Sequence, residues 1–483
     1  MSIHGVWQRT FSFFGEKSVV VERGSCQLSS DAGLLVFREF DERIRWTERI
    51  AAVLADRRND AEHSLIEMVR MRVYGILADY EDQNDHSTLR KDPVFKLITG
   101  RSPDDSDLAS QSTLSRFENA VDIPSLNRLR DVFVDAFIAS FETPPSRLTL
   151  DIDPFDDPTH GRQQLTFFHG YYGQHQYQPR VITCAENDLV VMVCLLHGTA
   201  HAALGAEDDV EYLVRRLRSA WPDVSIHLRG DSAFGTPAMF EICERMAIDF
   251  TFGLKMNPVL KRQSEELLSQ CVAAWEQGRQ PQRRFHAFEY EAGSWPHARW
   301  TVIKVEAHAE GTNRRAVITN RPGARVLPGA AYDDYADRGE SENRNKELKC
   351  RLKADRLSDH RYLANLFRLY LHAAAMNLLV RLRQTIANPP ADLPHGIGEP
   401  ALDVPREALA GRDRRRWFNH RREHDPLGEG HADTWRTRLI KVAAEFVVST
   451  RRIVVRLSGC WPHFHHFQST LDRIQLRPAT SPS

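Results

Sequence analysis

The chain is 483 residues long, which is more than one compact core usually holds, so two to four structural units are expected. Hydrophobic residues make up 42% of the sequence and charged residues 27%, as in an ordinary soluble globular protein. The 64 basic and 65 acidic side chains leave a formal net charge of −1, so any preference for a polyanion must come from local charge clusters.

Cysteine usage and hydropathy disfavour secreted and membrane-bound classes of protein. The seven cysteines are widely spaced and form no C-x-x-C pair, which argues against a disulfide framework and fits a reducing cytoplasm. Residues 1–14 mix polar with apolar side chains, unlike a signal peptide. Polar and charged residues interrupt the longest apolar stretch, residues 363–382, which therefore predicts a buried helix. We expect a cytoplasmic protein with no membrane partner.

Residues 1–145 predict a helical N-terminal domain. Between about residues 31 and 121 apolar side chains recur at three- and four-residue spacing, as at Leu65, Met68 and Val69. Residues 111–116 begin a short helical segment after a turn rich in Pro, Asp and Ser. Both a recognition helix and an ordinary packed helix are compatible with this segment.

Residues 146–256 predict alternating strands and helices. The elements, in order, are strands at 148–153, 180–184 and 189–196, a helix at 208–221, a strand at 225–228, a helix at 237–246 and a strand at 250–254. Three strands, a helix, a strand, a helix and a strand is the order of an RNase H-like fold. We therefore predict the α/β class with an RNase H-like catalytic core.

The remaining sequence predicts an insertion, a second part of the core and a basic C-terminal region. Residues 257–320 contain a polar helix followed by strand-like runs, which predicts a β-rich insertion subdomain. Helices resuming near Asp337 complete the core over residues 321–385, and residues 386–483 form a basic, helical C-terminal region. An arginine cluster in that region has aromatic residues between its members: Arg412, Arg414, Arg415, Arg416, Trp417, Phe418, Arg421 and Arg422.

Acidic residues lie at the ends of two predicted central strands. Asp151 and Asp153 are two residues apart on the first strand, so both project from the same face. Asp231 directly follows the fourth strand. In an RNase H-like sheet these two strands are neighbours, so their carboxylates are expected to converge. A third acid is expected from the helix after the last strand.

That helix carries the most specific pattern in the sequence, Y-x2-R-x3-E-x6-K, formed by Tyr335, Arg338, Glu342 and Lys349. At about 100° per residue these four side chains fall within about 60° of one another, which predicts one shared helical face. The same helix is predicted to continue as a basic track suited to a phosphate backbone. The track consists of Arg344, Lys346, Arg351, Lys353 and Arg356.

Such a constellation suits phosphoryl transfer. Two Mg²⁺ ions, for which Mn²⁺ can substitute, require hard carboxylate oxygens on a rigid scaffold. Arg338 and Lys349 beside Glu342 would grip phosphates and hold the scissile bond in line with its nucleophile. The sequence contains neither a glycine-rich phosphate loop nor a nucleophile elbow, so no nucleotide cofactor is expected.

The pattern resembles the DDE-class insertion-sequence transposases, bacterial cut-and-paste enzymes with a Y-R-E-K signature and a β-rich insertion before the glutamate. Residues 157–161, Asp-Pro-Thr-His-Gly, resemble a segment found in one subgroup of that family. The resemblance implies that Asp153, Asp231 and Glu342 form the catalytic, metal-binding triad. It also implies that Tyr335, Arg338 and Lys349 contact DNA near the cut.

The resemblance further implies a homodimer that pairs two element ends. Such an enzyme cuts double-stranded DNA at terminal inverted repeats and transfers the 3′-hydroxyl into target DNA, so it would be nucleoid-associated when bound. The N-terminal domain would bind DNA ends, and the C-terminal region would contact DNA or dimerise. Additional DNA-binding candidates are Lys346, Lys353, Arg414, Arg415 and Arg416.

Several alternatives stay open in the sequence. Asp151 competes with Asp153 because the family often has a small residue and then Thr after the first Asp, whereas this chain has Pro154 and Phe155. Glu340 competes with Glu342. Related enzymes use a Trp in the insertion to stack on a flipped base, for which the candidates are Trp295 and Trp300. A non-transposing nuclease and a catalytically inactive DNA-binding protein are the alternative functions.

Overall fold

The computed structural model describes residues 8–11, 13, 17–59, 61–387, 423, 425–428 and 430–476. The strands are β1 (Gln8–Phe11), β2 (Val19–Glu22), β3 (Gln27–Ser29), β4 (Arg147–Pro154), β5 (Asp157–Pro158), β6 (Phe167–His169), β7 (Gln174–Cys184), β8 (Val190–His197), β9 (Ser225–Gly230), β10 (Asp249–Leu254), β11 (Gln282–Tyr290), β12 (Arg299–His308), β13 (Gly311–Thr319), β14 (Ala444–Val448) and β15 (Ile453–Leu457).

The helices begin in the N-terminal third and recur between the strands. They are α1 (Leu34–Ile44), α2 (Trp46–Ala52), α3 (Leu65–Leu77), α4 (His86–Leu89), α5 (Pro93–Thr99), α6 (Gln111–Asn119), α7 (Ile123–Ile138), α8 (Ala206–Ala220), α9 (Pro237–Arg245), α10 (Pro258–Gln263), α11 (Glu265–Gly278), α12 (Gly323–Val326), α13 (Pro328–Ala336), α14 (Arg338–Lys346) and α15 (Tyr362–Ile386). A π-helical turn, Glu347–Arg351, follows α14, and two further helices, Ala432–Trp435 and Phe464–Leu476, lie near the C-terminus.

The central part of the main sheet has the order β8-β7-β4-β9-β10. β4 and β10 both run parallel to β9, whereas β7 is antiparallel to β4 and to β8. All five strands were predicted, and α8 and α9 lie where the sequence placed its two helices. Pairing of β4 with β9 aligns Ile152 with Gly230, so the residues after these two partners leave the sheet at the same edge.

One strand boundary in the sheet differs from the prediction. The sequence indicated a strand starting after Pro179, but β7 begins at Gln174 and runs through that proline. Pro179 has no amide hydrogen to donate, yet its carbonyl accepts a hydrogen bond of 2.9 Å from the amide of Phe155. The strand therefore continues across the proline.

The strands of the predicted β-rich insertion extend the main sheet. β13 pairs antiparallel with β10, and β12 and β11 follow outward in the same sheet. Without this pairing the edge of β10 would expose backbone groups that lack partners. α11 packs on the inserted strands around the buried residues Leu260, Cys271, Ile303 and Val305. Helical structure also resumes earlier than predicted, at α12.

The N-terminal helices pack on α15 and share a hydrophobic core with the sheet. Trp46 lies edge-on to Phe133 at 4.9 Å and donates from its indole nitrogen to the carbonyl of Ala374 in α15 at 3.0 Å. α15 is the one helix in the described residues long and apolar enough to cross a membrane, and 89% of its most apolar window is buried inside the protein. The prediction of a buried helix is confirmed.

The C-terminal region contains strands that the sequence analysis did not predict. β14 pairs with β15 and with β3, forming a three-stranded sheet that joins the two ends of the chain. The region therefore contains strands as well as the expected helices, because the valine-rich runs in β14 and β15 are strand-forming segments. Arg414, Arg415 and Arg416 of the arginine cluster lie outside the described residues.

Candidate active site

Two aspartates meet at the edge where β4 and β9 end. Asp153 is the last but one residue of β4, and Asp231 directly follows β9. Because the two strands are parallel neighbours in register, their carboxyl-terminal ends lie side by side. The Asp231 carboxylate accepts a hydrogen bond of 2.9 Å from the amide of Ala233, which holds the turn after β9.

α14 brings a glutamate and an arginine to the same edge. The hydroxyls of Ser341 in α14 and Thr183 in β7 are both buried and lie 2.7 Å apart, which anchors the helix on the sheet. One terminal nitrogen of Arg338 lies 3.2 Å from Asp153 Oδ2, and the other lies 2.5 Å from Glu342 Oε1. The guanidinium thus bridges the strand aspartate and the helical glutamate.

The charges of Asp231 and Glu342 both act on the Asp153 carboxyl group. Burial raises the pKa of Asp153 most, Arg338 lowers it, and the negative charges of Asp231 and Glu342 raise it again, to a pKa of about 7. Burial lowers the pKa of Arg338, but Asp153, Tyr335 and Glu342 outweigh that effect and raise it overall. Asp153, Asp231 and Glu342 therefore share one electrostatic environment, with Arg338 as the compensating cation.

Asn345 is a site residue that the sequence analysis missed. Its amide nitrogen donates to Asp153 Oδ2 at 3.3 Å, and the residue is buried. Its side-chain oxygen is also buried and has no hydrogen-bond partner within the described part of the chain. Its position three residues after Glu342 on α14 was the available signal, because residues three apart share a helical face.

The Y-R-E-K residues lie in three consecutive helical segments, whereas the sequence predicted one helix with Tyr335 at or just before its start. Tyr335 lies in α13, Arg338 and Glu342 lie in α14, and Lys349 lies in the π-helical turn. The break before α14 and the wider turn after it change the angular offsets on which the prediction depended. Tyr335 still reaches the site, where the Arg338 guanidinium lies 5.7 Å from its ring centre.

Lys349 is held next to the triad by an acidic neighbour. Its ammonium lies 2.5 Å from Asp156 Oδ1, and both side chains are about three-quarters buried. Burial raises the pKa of Asp156, but the hydrogen bond and positive charge of Lys349 outweigh it and leave the pKa lowered overall. The pair holds the Lys349 ammonium against Asp156, which is three residues along the chain from Asp153.

The predicted basic track is not a continuous row on one helix. Lys353 has a left-handed backbone conformation and pairs with Asp79 and Glu81, each at 3.0 Å. Among the other members, Arg344 pairs with Asp188 and Glu347, Arg351 with Asp433 and Arg356 with Glu81. Lys346, the last residue of α14, is exposed. The end of α14 and the contacts with distant segments redirect these side chains.

Asp151, the rival of Asp153, is engaged elsewhere. It is 1% exposed and accepts two hydrogen bonds from Arg229 on β9, at 2.7 and 2.8 Å. Of the two candidate glutamates, Glu340 and Glu342, it is Glu342 whose charge raises the pKa of Asp153. The geometry therefore favours Asp153 and Glu342 over Asp151 and Glu340 as members of the site.

The insertion tryptophans occupy structural positions. Trp295 is 8% exposed and packs edge-on against Phe240 at 5.4 Å and Tyr290 at 5.5 Å. Trp300 lies on β12 and has the Arg325 guanidinium 5.5 Å from its ring centre. Neither tryptophan is in contact with the residues of the candidate site in these interactions.

The donor atoms suit a hard divalent cation. Carboxylate oxygens such as those of Asp153, Asp231 and Glu342 are the ligands that Mg²⁺ prefers, and the unpartnered oxygen of Asn345 lies beside them. In the arrangement seen, no group of three or more His, Cys, Asp or Glu side chains in the described residues is placed to hold a metal ion. Arg338 instead supplies the positive charge between Asp153 and Glu342. The oxygen ligands fit Mg²⁺ or Mn²⁺, and binding of the ion would require Glu342 to leave Arg338 and turn to the metal.

Together, the fold and the site define an α/β protein with an acidic site at the ends of two central parallel strands. Residues 11–391 match the family described as transposase DDE domain group 1. This match spans most of the sequence, and the chain belongs to that family of DDE-class transposases. The resemblance seen in the sequence is confirmed at this level, and the Y-R-E-K subgroup stays a prediction.

Comparisons with curated proteins and with solved structures add little to the family match. No curated protein matches the chain. Among solved structures, the chain is similar to the cryo-EM structure of the piggyBac transposase synaptic complex with hairpin DNA. The identity is 12% and the TM-score 0.39, over 94% of this chain and 87% of that one. At this TM-score the similarity supports no conclusion about the site.

Proposed function

We propose that this transposase cleaves DNA at the terminal inverted repeats of its element and joins the freed 3′-hydroxyl to target DNA. The observation that carries the proposal is the shared environment of Asp153, Asp231 and Glu342, expressed in the raised pKa of Asp153. A carboxyl group whose pKa is perturbed by burial and by neighbouring charges is typical of sites that perform chemistry. Membership of the DDE transposase family supports the same assignment.

The sheet supports an RNase H-like core as the scaffold of this activity. The order β8-β7-β4-β9-β10, with two antiparallel pairs followed by two parallel ones, is the arrangement expected for that fold. We assign the core to residues 146–256 and 321–385, with residues 257–320 as the insertion between them. Asp153, Asp231 and Glu342 then lie on its central strands and on the helix after the insertion.

Asp153, Asp231 and Glu342 would hold two Mg²⁺ ions. Bound there, these ions supply activation of the attacking water or 3′-hydroxyl and stabilisation of the leaving oxygen. Arg338 offers a planar guanidinium to a phosphate once Glu342 is engaged elsewhere, and such contacts are charge-assisted and bidentate. Lys349 adds a second positive charge on the same side. Its contact with Asp156 keeps the lysine positioned before DNA arrives.

The partners follow from this assignment. They are double-stranded DNA, as inverted repeats and as target, and a second copy of the chain in a paired-end complex. Residues 1–145 would read the repeat, and residues 386–483 would contact DNA or the second copy. No nucleotide cofactor is needed, and we place the protein in the cytoplasm, on the nucleoid when DNA is bound.

The test is a cleavage and strand-transfer assay with Mg²⁺ on a labelled duplex from the flank of the coding region, ending in the inverted repeat. Asp153→Asn, Asp231→Asn and Glu342→Gln should each reduce cleavage by more than about 100-fold while end binding survives, because each removes a metal ligand. Glu340→Gln is the matched control and should cut normally.

Other results separate the alternatives. Cleavage without end-specific joining would indicate a non-transposing nuclease. Binding of the repeat without cleavage by the intact protein would indicate a DNA-binding protein that has lost catalysis. Normal cleavage by Glu342→Gln would refute the triad.

A further inference from the structure

An aromatic hairpin projects from the main sheet at residues 167–174. It consists of β6, a four-residue turn and the first residue of β7, and four of its aromatic side chains are exposed, including Phe167 at 43%. Phe168 is 54% exposed, Tyr171 87% and Tyr172 45%. The rings of Tyr171 and Tyr172 meet edge to face, with centroids 5.0 Å apart. Exposed apolar groups that cluster in this way usually mark an interaction surface.

The base of the aromatic hairpin is firmly held, although its tip is exposed. Phe167 pairs with Gln176 across the hairpin and lies edge-on to the ring of His197 at 5.6 Å. The backbone of Gly198 approaches so closely that a Cβ there would lie 2.2 Å from the Gln176 carbonyl oxygen and 2.4 Å from that of Phe167. The two tip tyrosines therefore project from a fixed support.

The aromatic hairpin stands beside the candidate active site. Gln174 donates to Asp156 Oδ2 at 3.4 Å, and the other oxygen of Asp156 contacts Lys349. Burial raises the pKa of Tyr172 most, and the charges of Asp156 and Asp231 raise it further, whereas Lys349 lowers it. Tyr172 thus lies within electrostatic reach of the site where a phosphate backbone would be cut.

We propose that the aromatic hairpin, with Tyr171 at its tip, stacks on unpaired DNA bases next to the cut. This inference rests on the proposed function, which brings a DNA end to Lys349. Aromatic side chains bind unpaired bases through their faces and tolerate any base sequence, because every base offers a π-face. Trp295, in contrast, is buried in the insertion and offers no free face.

Unpaired DNA is favoured over a protein partner because of the neighbouring charges. The base of the hairpin contacts Asp156, which also holds Lys349, and Tyr172 lies within electrostatic reach of Asp231. A DNA strand bound across that site would therefore lie close to the hairpin. Taking a nucleotide out of a duplex costs unstacking energy, and a stacking surface offsets part of that cost. A second copy of this chain is the competing occupant.

The test compares two labelled element-end duplexes, one fully paired and one with a short run of unpaired thymines next to the cut. Binding is measured without Mg²⁺, so that the DNA stays intact, for the wild type, Tyr171→Leu and the matched control Tyr171→Phe. Tyr171→Leu should bind the unpaired duplex about 5- to 150-fold more weakly and the paired duplex normally. Tyr171→Phe keeps a ring and should behave as the wild type.

A second readout uses 2-aminopurine at one of the unpaired positions. The wild type and Tyr171→Phe should quench its fluorescence on binding, and Tyr171→Leu should not. Equal binding of both duplexes by all three proteins would overturn the proposal, as would an equal loss on both duplexes. Loss of dimerisation by Tyr171→Leu in light scattering, with unchanged preference for unpaired DNA, would assign the aromatic hairpin to a second copy instead.

Failure of the proposed function gives a different pattern. A wild type that prefers the unpaired duplex through Tyr171 but cuts neither duplex with Mg²⁺ would refute the proposed function and keep the stacking surface. A wild type that cuts, with Tyr171→Leu unchanged in every assay, would refute only the stacking surface.

Discussion

Asp151 and Asp153 are two residues apart on β4, yet the structure predicts opposite consequences when each is replaced by asparagine. Asp151 is buried and holds both its oxygens against Arg229, which is itself 2% exposed. Asp153 instead shares Arg338 with Glu342 and lies within electrostatic reach of Asp231. Asp151→Asn should destabilise the fold, whereas Asp153→Asn should abolish activity and spare the fold.

The magnitude follows from the burial of each group. Asp151→Asn leaves the Arg229 charge buried without an anionic partner, and breaking such a pair costs about 3–5 kcal/mol. Asp153→Asn removes one of three like charges, and Arg338 keeps Glu342 as its partner. The free energy of unfolding should therefore stay unchanged or rise, as is common when a functional acid is neutralised.

Urea denaturation followed by tryptophan fluorescence measures the stability of each variant, and cleavage of element-end DNA well below the unfolding transition measures activity. Asp151→Asn should unfold at lower urea and still cut, and Asp153→Asn should do the reverse. Replacing Arg229 by Met in the Asp151→Asn protein should recover part of the lost stability, because the unpaired charge is gone. A stable Asp151→Asn protein that cannot cut would refute this reasoning and make Asp151 the catalytic acid.

Three further predictions concern residues around this site. His372 is fully buried and burial lowers its pKa to about 3, so its contribution to stability should be complete above pH 6.5 and fall below it by about 1.4 kcal/mol per pH unit. In urea titrations His372→Leu should remove this share of the pH dependence and leave the share of the buried His86 and His227, whose pKa values are also lowered. Glu347→Gln should lower the free energy of unfolding by about 3–5 kcal/mol in urea, because the buried Glu347 carboxylate lies 2.6 Å from Arg383. Gly253→Ala should reduce DNA cleavage and destabilise by about 1–3 kcal/mol, because its Cβ would lie 2.9 Å from the Tyr335 hydroxyl.

Each of these has a clear contrary outcome. An unchanged pH dependence in His372→Leu would mean that the imidazole is protonated in the folded protein. A Glu347→Gln protein as stable as the wild type would show that Arg383 finds another partner. Full activity in Gly253→Ala would show that Tyr335 moves aside without affecting the cut.

Much of the fold was predictable because its strands and helices follow from local sequence patterns. The alternating residues 148–153, the apolar run at 189–196 and the amphipathic segment at 208–221 became β4, β8 and α8 with small shifts at their ends. Local patterns did not predict how distant segments of the chain pair with one another. The inserted strands joined the main sheet because β10 offered a free edge, and no periodicity reports which edge a strand will choose.

The sequence predicted which residues form the candidate site better than it predicted how they are arranged. Strand ends and motif spacing indicated the candidate acids, and the resemblance to DDE transposases implied the set Asp153, Asp231 and Glu342. In the structure Asp231 and Glu342 lie near enough to Asp153 for their charges to raise its pKa. The predicted single helix is instead divided into three segments, so that Tyr335 and Lys349 lie outside α14. The catalytic roles themselves stay predictions until the variants are assayed.

The sequence by itself determined the order of strands and helices, the positions of the acids and the resemblance to DDE transposases, because periodicity and motif spacing are properties of neighbouring residues. Only the tertiary structure decided that Asp151 is neutralised by Arg229, 78 residues away. It also decided that Lys353 pairs with Glu81 across 272 residues and that the aromatic hairpin stands beside Asp156. Such contacts depend on how elements pack, and a side chain's partners are set by that packing rather than by its neighbours along the chain.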